Sequence, residues 1–467
     1  MSPRHLPTRV ASTQGRPGHR TRQGEHMNVS TGVSRAVAAA PRLASLSGEA
    51  RRTMLYACAD ALAAAGAEIV ATALAETGLT EARLRGELDR TTGQFRLLGD
   101  HAAKPWRRVS AGVAAGGGDV VTVPVPVGPV AVFAASNFPL AFGVSGGDTA
   151  SALAAGCPVV VKAHPAQPRT AELLGRILAQ ALPDGVFSLV AGGPEVSLEL
   201  VRAPGIRAVG FTGSLTGGRA LMDAAAARPD PIPVYAEMGS LNPVLVLPGA
   251  AVPATVSALA AAVTGSAGQL CTKPGLVVTD AAAFADELAA AVAALPVHRM
   301  LTDGMTRAHE RWQAHASAAY RVVAGAGTPA PFAVVVSVGE LTGELLEEHF
   351  GPSVVIAVGA AEDVPSRVEG SLTASVFAAE GDRERARVLL PGLLARAGRI
   401  VWNGVPTGVA VCDAMQHGGP WPATSAAWST SVGTEAIERF RRPVALQGVP
   451  ADLLYDHSEL AQCPTAG

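Results

Sequence analysis

Short apolar runs alternate with helix-length amphipathic stretches through the middle of the chain. "VAVFAAS" (130–136), "PVVVKAH" (158–164), "VFSLVAG" (186–192) and "RAVGFTGS" (207–214) are too short for helices. None alternates polar with apolar, so each reads as a strand covered on both faces. Between them lie "GGDTASALAAG", "TAELLGRILAQAL" and "EVSLELVRA". The second places Leu173, Leu174, Ile177, Leu178 and Ala181 at helical intervals. Strands alternating with helices of this length predict right-handed crossovers and a parallel, doubly wound α/β sheet.

After Glu237 the pattern restarts. "NPVLVLPGA", "GLVVTD", "GPSVVIAV", "TASVFAAE" and "GRIVWNG" read as strands. "VPATVSALAAAVTGSAGQL", "DAAAFADELAAAVAAL" and "DRERARVLLPGLLARA" read as helices, the first running on to Cys271. This predicts a second α/β unit. Upstream, "MLYACADALAAAGAEIVATALAE" and "EARLRGELDRTTGQFRLLGD" have helical spacing. "DVVTVPVPVGPV" reads as a Pro-interrupted edge strand or hairpin. The late segment "AIERFRRPVALQGVP" reads as a helix end followed by a strand that pairs with it.

Composition narrows the class. The 467 residues are 48% hydrophobic and 16% charged, with a formal net charge of -2. That suits a globular protein and gives no ground for nucleic acid or an anionic membrane as partner. No apolar run reaches the length of a membrane span. The cysteines Cys58, Cys157, Cys271, Cys412 and Cys463 are far apart, with no Cys-x-x-Cys pair. A disulfide framework and a cysteine-based metal site are not expected, and a reducing cytoplasm fits best. The opening segment, residues 1–30, is basic and aperiodic and reads as a disordered tail, with Met27 an alternative start.

Candidate chemistry falls at the predicted strand ends, where doubly wound sheets bind ligands. Asn137 follows the first strand, Lys162 ends the second, and "FTGSLTGG" follows the fourth. The Gly-x-Gly-x-x-Gly fingerprint is missing from the first turn. Cys271 alone is most simply a packing thiol. Its helix-to-loop setting between Gly268 and Gly275 also suits a nucleophile. Glu237, in "YAEMGS", is either an exposed carboxylate or a general base with a raised pKa. Asn137 is either a turn residue or an oxyanion donor. Lys162 is either a solvated strand end or a cation for phosphate or ribose.

Taken in order, "SNFPLAF", "VVVKAHP", "GFTGSLTGG", "AEMGS", "GQLCT", "EEHFGP" and "VWNGVPTGV" resemble the landmarks of the aldehyde dehydrogenase superfamily, over about Arg35 to Leu453. "PIPVYAEMGSLNPV" and "HGGPWPATS" look most like the branch containing 2-oxoglutarate semialdehyde (2,5-dioxopentanoate) dehydrogenases and related NADP-linked enzymes. The resemblance implies a Rossmann-type cofactor domain (31–115 and 130–239), a catalytic domain (240–428), oligomerisation strands (116–129 and 429–455) and a C-terminal tail (456–467). It implies a homodimer or homotetramer acting on a small aldehyde.

By the same resemblance, Cys271 attacks the aldehyde, and the thiohemiacetal passes hydride to the nicotinamide and becomes a thioester. Glu237 then activates water. Asn137 and the Cys271 N–H form the oxyanion hole. Lys162 reaches the adenosine ribose, Glu348 holds the nicotinamide ribose with Phe350 beside it, and Gly213, Ser214 and Gly218 lie near the pyrophosphate. Many NAD-preferring relatives carry a glutamate where this chain has Pro165. Its loss removes a clash with a 2′-phosphate, so NADP is expected, with NAD also possible, and His164 stands near Lys162. Phe138, Ala141, Phe142 and Ser145 are expected to line the aldehyde channel, and His417 to face the nicotinamide side. Arg90 and Gln94 are candidates for a substrate carboxylate. No metal is expected. The N-terminal part and the stretch from about Pro296 to Glu340 look compressed. The rival readings are a CoA-acylating dehydrogenase, against which Glu237 argues, and a silent binding subunit.

Overall fold

A computed structural model describes residues 27–104, 108–114 and 118–450. The expectations for residues 1–26 of the N-terminal tail and for the C-terminal tail lie outside these residues, but the tail expected to run to residue 30 gives way earlier, to a helix at Val29–Ala44 capped by Asn28.

The predicted strands Val130–Phe133, Val159–Lys162, Phe187–Val190 and Ala208–Thr212 form one parallel sheet. A fifth strand, Val234–Glu237, completes it. In chain order the strands lie third, second, first, fourth, fifth across the sheet. The order reverses between the first and fourth strands, which opens a crevice at their carboxyl ends. The fifth strand is hidden in the sequence because "PDPIPVYAE" carries three prolines just before the short run that pairs.

Both faces of this sheet are covered, as its unalternating strands require. One face packs Leu55, Leu62, Phe95, Leu153 and Leu174 from the upstream helices and the crossovers. The other packs Val33, Leu200 and Leu221. The stretch read as one helical pattern from Met54 to Glu76 is two helices, Gly48–Ala64 and Gly66–Thr77, bent by 67°.

The second unit is a seven-stranded sheet. Across it run Arg321–Ala324, Phe332–Ser337, Ser353–Val358, Leu276–Thr279, Val244–Val246, Ser371–Phe377 and Ala397–Trp402. All pairs are parallel except the first. The compressed stretch from Pro296 to Glu340 supplies a helix, Asp303–Ala319, and the first two of these strands. The helix expected to reach Cys271 spans Pro253–Thr264 and stops there. Ser266, Ala267 and Gly268 then turn with positive φ (53°, 54° and 66°) and re-aim the chain.

The third sheet is small and antiparallel: Arg108–Ser110, Val120–Pro126 and Arg441–Gln447. Val120–Pro126 is its central strand, not an edge. Among the described residues, Arg108–Ser110 pairs with it from Val120 to Thr122. The domain limits shift accordingly. Arg108–Ser110 belongs to this sheet, whereas Ile437 and Phe440 pack into the first unit's core, so the late strand begins at Arg441.

Candidate active site

Four segments converge at the carboxyl ends of the five-stranded sheet. The first is Asn137–Phe142, four residues beyond Phe133. Buried Glu87 holds it in place by accepting the Leu140 and Ala141 N–H groups at 2.8 and 3.0 Å. The second is Glu237, the last residue of the fifth strand. The third is the turn carrying Cys271. The fourth is the loop from His417 to Ser431, stitched to the second by Met238 N donating to Ala423 O, Ser425 N donating to Ala236 O, and Ala236 N donating to Ser425 Oγ.

Asn242 fixes the nucleophile's turn. Its amide donates to the carbonyls of Cys271 (2.8 Å), Lys273 (3.0 Å) and Ser240 (3.2 Å). Its Oδ1 accepts from Ser240 Oγ and Thr373 N. The opposite side is fixed by close approach: a Cβ on Gly268 would stand 2.0 Å from the Gly351 carbonyl oxygen. Asn137 sits over the turn, its amide donating to Gln269 O at 3.1 Å. That brings Asn137 to the nucleophile's own loop.

Cys271 is half-buried. Desolvation and then the neighbouring Glu237 and Glu348 carboxylates push its thiol well above its ordinary range. Glu237 is 4% exposed. Burial raises its pKa, but the opposing charge of His417 and hydrogen bonds, including one from Ser431, outweigh this and hold it below the usual range. The carboxylate therefore stays charged at neutral pH, contrary to the raised pKa expected of a buried general base.

His417 is closer to the chemistry than expected. Its Nε2 is aligned with Cys271 Sγ at 3.7 Å. The same nitrogen lies 2.9 Å from Glu237 Oε1, yet that oxygen receives no aligned hydrogen bond among the described residues. The other oxygen, Oε2, accepts from Ser431 Oγ. The His417 backbone is pinned by Thr430 Oγ1 and Ser431 N. No metal was expected because Cys271 has no companion ligand nearby in sequence. The fold supplies two: the donor atoms of Glu237, Cys271 and His417 lie within 4.8 Å of one another, a set that could hold a metal ion.

Phe138 and Phe142 meet edge to face at 5.5 Å, and Phe142 lies 6.4 Å from the His417 ring. Arg90 stands over Phe142 and donates to Val409 O at 2.7 Å, and its buried Nε has no partner among the described residues. Desolvation lowers its pKa, with Cys271 the first charge opposing that. Ser145, expected to line the channel, and Gln94, a candidate for the substrate carboxylate, both turn inward. Ser145 is 1% exposed and donates to Leu140 O, and Gln94 is buried against Ala141 O. Ala141 is also fully buried.

On the cofactor side, Lys162 ends its strand 9% exposed, its pKa lowered by burial against the pull of Glu195. His164 lies beside it. Burial and then the Lys162 charge bring it down to about 4, so it is neutral and gives a phosphate no second cation. Ser214 caps the helix Leu215–Ala226 by accepting from Gly217 N. Gly213 N donates to Glu237 O, and Gly218 makes room for Met238. Glu348 sits against Gly239, where an added Cβ would lie 2.6 Å from its Oε2, and takes a hydrogen bond from Ser240 N. Phe350 is half-buried on the same segment. A strand-end lysine, a helix N-terminus and a carboxylate spread along one crevice fit a dinucleotide.

A half-buried thiol, a charged carboxylate and an amide donor at the mouth of a Rossmann-type sheet are the parts a thiol-dependent dehydrogenase needs. The chain belongs to the aldehyde dehydrogenase family, whose model matches residues 7–419, and it is an NAD(P)-dependent enzyme of that family. It is 44% identical over 441 residues to alpha-ketoglutaric semialdehyde dehydrogenase 2 of Azospirillum brasilense, covering 87% of this chain and 84% of that one. It is 41% identical over 432 residues to alpha-ketoglutaric semialdehyde dehydrogenase of Acinetobacter baylyi, covering 84% and 81%. Among solved structures, the NAD-dependent aldehyde dehydrogenase from Sinorhizobium meliloti shares the fold, with a TM-score of 0.78 at 22% identity, covering 90% of this chain and 87% of that one.

Sequence reading missed Glu87, Asn242 and Lys273. Each acts through contacts with chain distant in sequence, so no local pattern marks it.

Proposed function

We propose that this enzyme oxidises 2-oxoglutarate semialdehyde to 2-oxoglutarate, using Cys271 as nucleophile and Glu237 as the base for hydrolysis. The observation that carries the reading is the cluster of the Cys271 thiol, the Glu237 carboxylate and the His417 ring, whose donor atoms lie within 4.8 Å of one another. Cys271 loses its proton to this pair as sulfur adds to the aldehyde carbon. The amide of Asn137 and the Cys271 N–H would receive the developing oxyanion, worth about 3 to 4 kcal/mol per donor. Bound NAD(P) supplies the hydride acceptor. Glu237 Oε1 then takes a proton from the water that attacks the thioester.

The substrate follows from charge as well as from the relatives' names. The Nε of Arg90, without a partner among the described residues, lies at the Phe142 side of the thiol, where a carboxylate at the far end of a keto-acid semialdehyde can pair with it. Arg90→Gln should raise KM for the semialdehyde at least tenfold and leave hexanal within about twofold. Equal effects on both would remove Arg90 from substrate recognition. For the cofactor, Pro165 leaves room for a 2′-phosphate near Lys162, which supports NADP. Neutral His164 adds nothing to that preference, so NAD remains usable. We further infer a homo-oligomer, because the small sheet carries half-exposed valines at 123, 125 and 444 and has no core of its own.

A further inference from the structure

We propose that Lys273 is a positioning residue for the cofactor, tying the segment that carries Glu348 and Phe350 to the turn that carries Cys271. The proposal rests on the dehydrogenase reading above. Lys273 follows the nucleophile by two positions and is 3% exposed. Its ammonium donates to His349 O at 3.1 Å and to Ser353 O at 2.7 Å. Those two carbonyls bracket Phe350, Gly351 and Pro352. Glu348 is the charge that opposes it.

The same short segment is held from its other side. Gly351 O presses against Gly268, where only a glycine fits. The segment is therefore gripped by residues on both sides of Cys271 in the chain, Gly268 before it and Lys273 after it. Asn242 in turn fixes the Lys273 carbonyl and the Cys271 carbonyl together. One connected set of bonds thus relates the sulfur to Glu348 and Phe350. Burying an ammonium is costly, and an apolar side chain of the same length would fill the space without that cost. What the lysine adds is two directed hydrogen bonds to backbone on the cofactor side. Lys273 acts through Glu348 and Phe350, so its loss should displace the nicotinamide end of the cofactor while leaving the thiol in place. A displacement of about 1 Å is enough to cost a large factor in rate.

The test compares wild type, Lys273→Met and the shorter, polar Lys273→Gln. NADH and NADPH binding is followed by fluorescence, and Cys271 alkylation by iodoacetamide is measured without cofactor. Both variants should bind the dinucleotide about tenfold more weakly and show a slower burst with a deuterium isotope effect on the aldehyde hydrogen. Alkylation should stay within about twofold of wild type. Unchanged dinucleotide affinity in either folded variant overturns the proposal, as does a parallel loss of alkylation, which would mean collapse of the whole turn. Wild type that binds neither NADH nor NADPH overturns the dehydrogenase reading and this proposal together.

Discussion

Cys271, the proposed nucleophile, stands in an environment that resists its ionisation. Desolvation and two carboxylates keep the thiol protonated well above its ordinary pKa. The free enzyme should therefore be alkylated by iodoacetamide at a rate that still climbs above pH 9, without levelling near 8.5 as an exposed thiol does. Glu237→Gln removes one of the charges that raise the thiol. It should move this pH profile to lower values even as steady-state turnover falls by about 100-fold or more. A profile unmoved by Glu237→Gln would mean that the two side chains are not coupled. At this scale the sequence was partly legible. Cys271, Glu237 and Asn137 stood out through the family resemblance, Glu237 and Asn137 also through their places after strands and Cys271 through its helix-to-loop setting. The direction of the Glu237 shift was not legible, because it depends on His417 and Ser431, which lie 180 and 194 positions away.

The site's rigidity is a property of elements that meet at single polar residues. Asn242 adopts a positive φ of 49° and bonds to the strand end at Ser240, the nucleophile turn and the strand Ser371–Phe377. Asn242→Ala leaves buried carbonyls unpaired and should destabilise the fold by about 2 to 3 kcal/mol, read by urea unfolding. A loss below about 0.5 kcal/mol would contradict its bridging role. The buried strands were legible because runs such as "VVV" at 159–161 have no alternative placement in a two-sided core. The end of the helix at Thr264 was not, since a left-handed turn built from Ser266 and Ala267 has no local signature. It is imposed by packing against Gly351.

Across the whole molecule, two units with separate cores meet at the site, and a small sheet stands apart from both. Its strand Arg108–Ser110 is exposed throughout and forms an edge of that sheet. Such edges are normally covered. Light scattering should find more than one subunit, and a chain ending at Phe440 should shift to the monomer mass. An unchanged mass would place the interface elsewhere. The pairing of Val120–Pro126 with Arg441–Gln447 spans more than 300 residues, and both segments were legible as strands that carry proline. The central position of the Pro-bearing strand was not, because it depends on how far a three-residue neighbour reaches.

The most direct test of the account is a single turnover of Glu237→Gln with 2-oxoglutarate semialdehyde, followed by absorbance at 340 nm and intact-protein mass spectrometry. The account predicts a burst of about one NAD(P)H per active site and a stalled acyl adduct that maps to Cys271. Continuous turnover without an adduct, or an adduct on another residue, would contradict it.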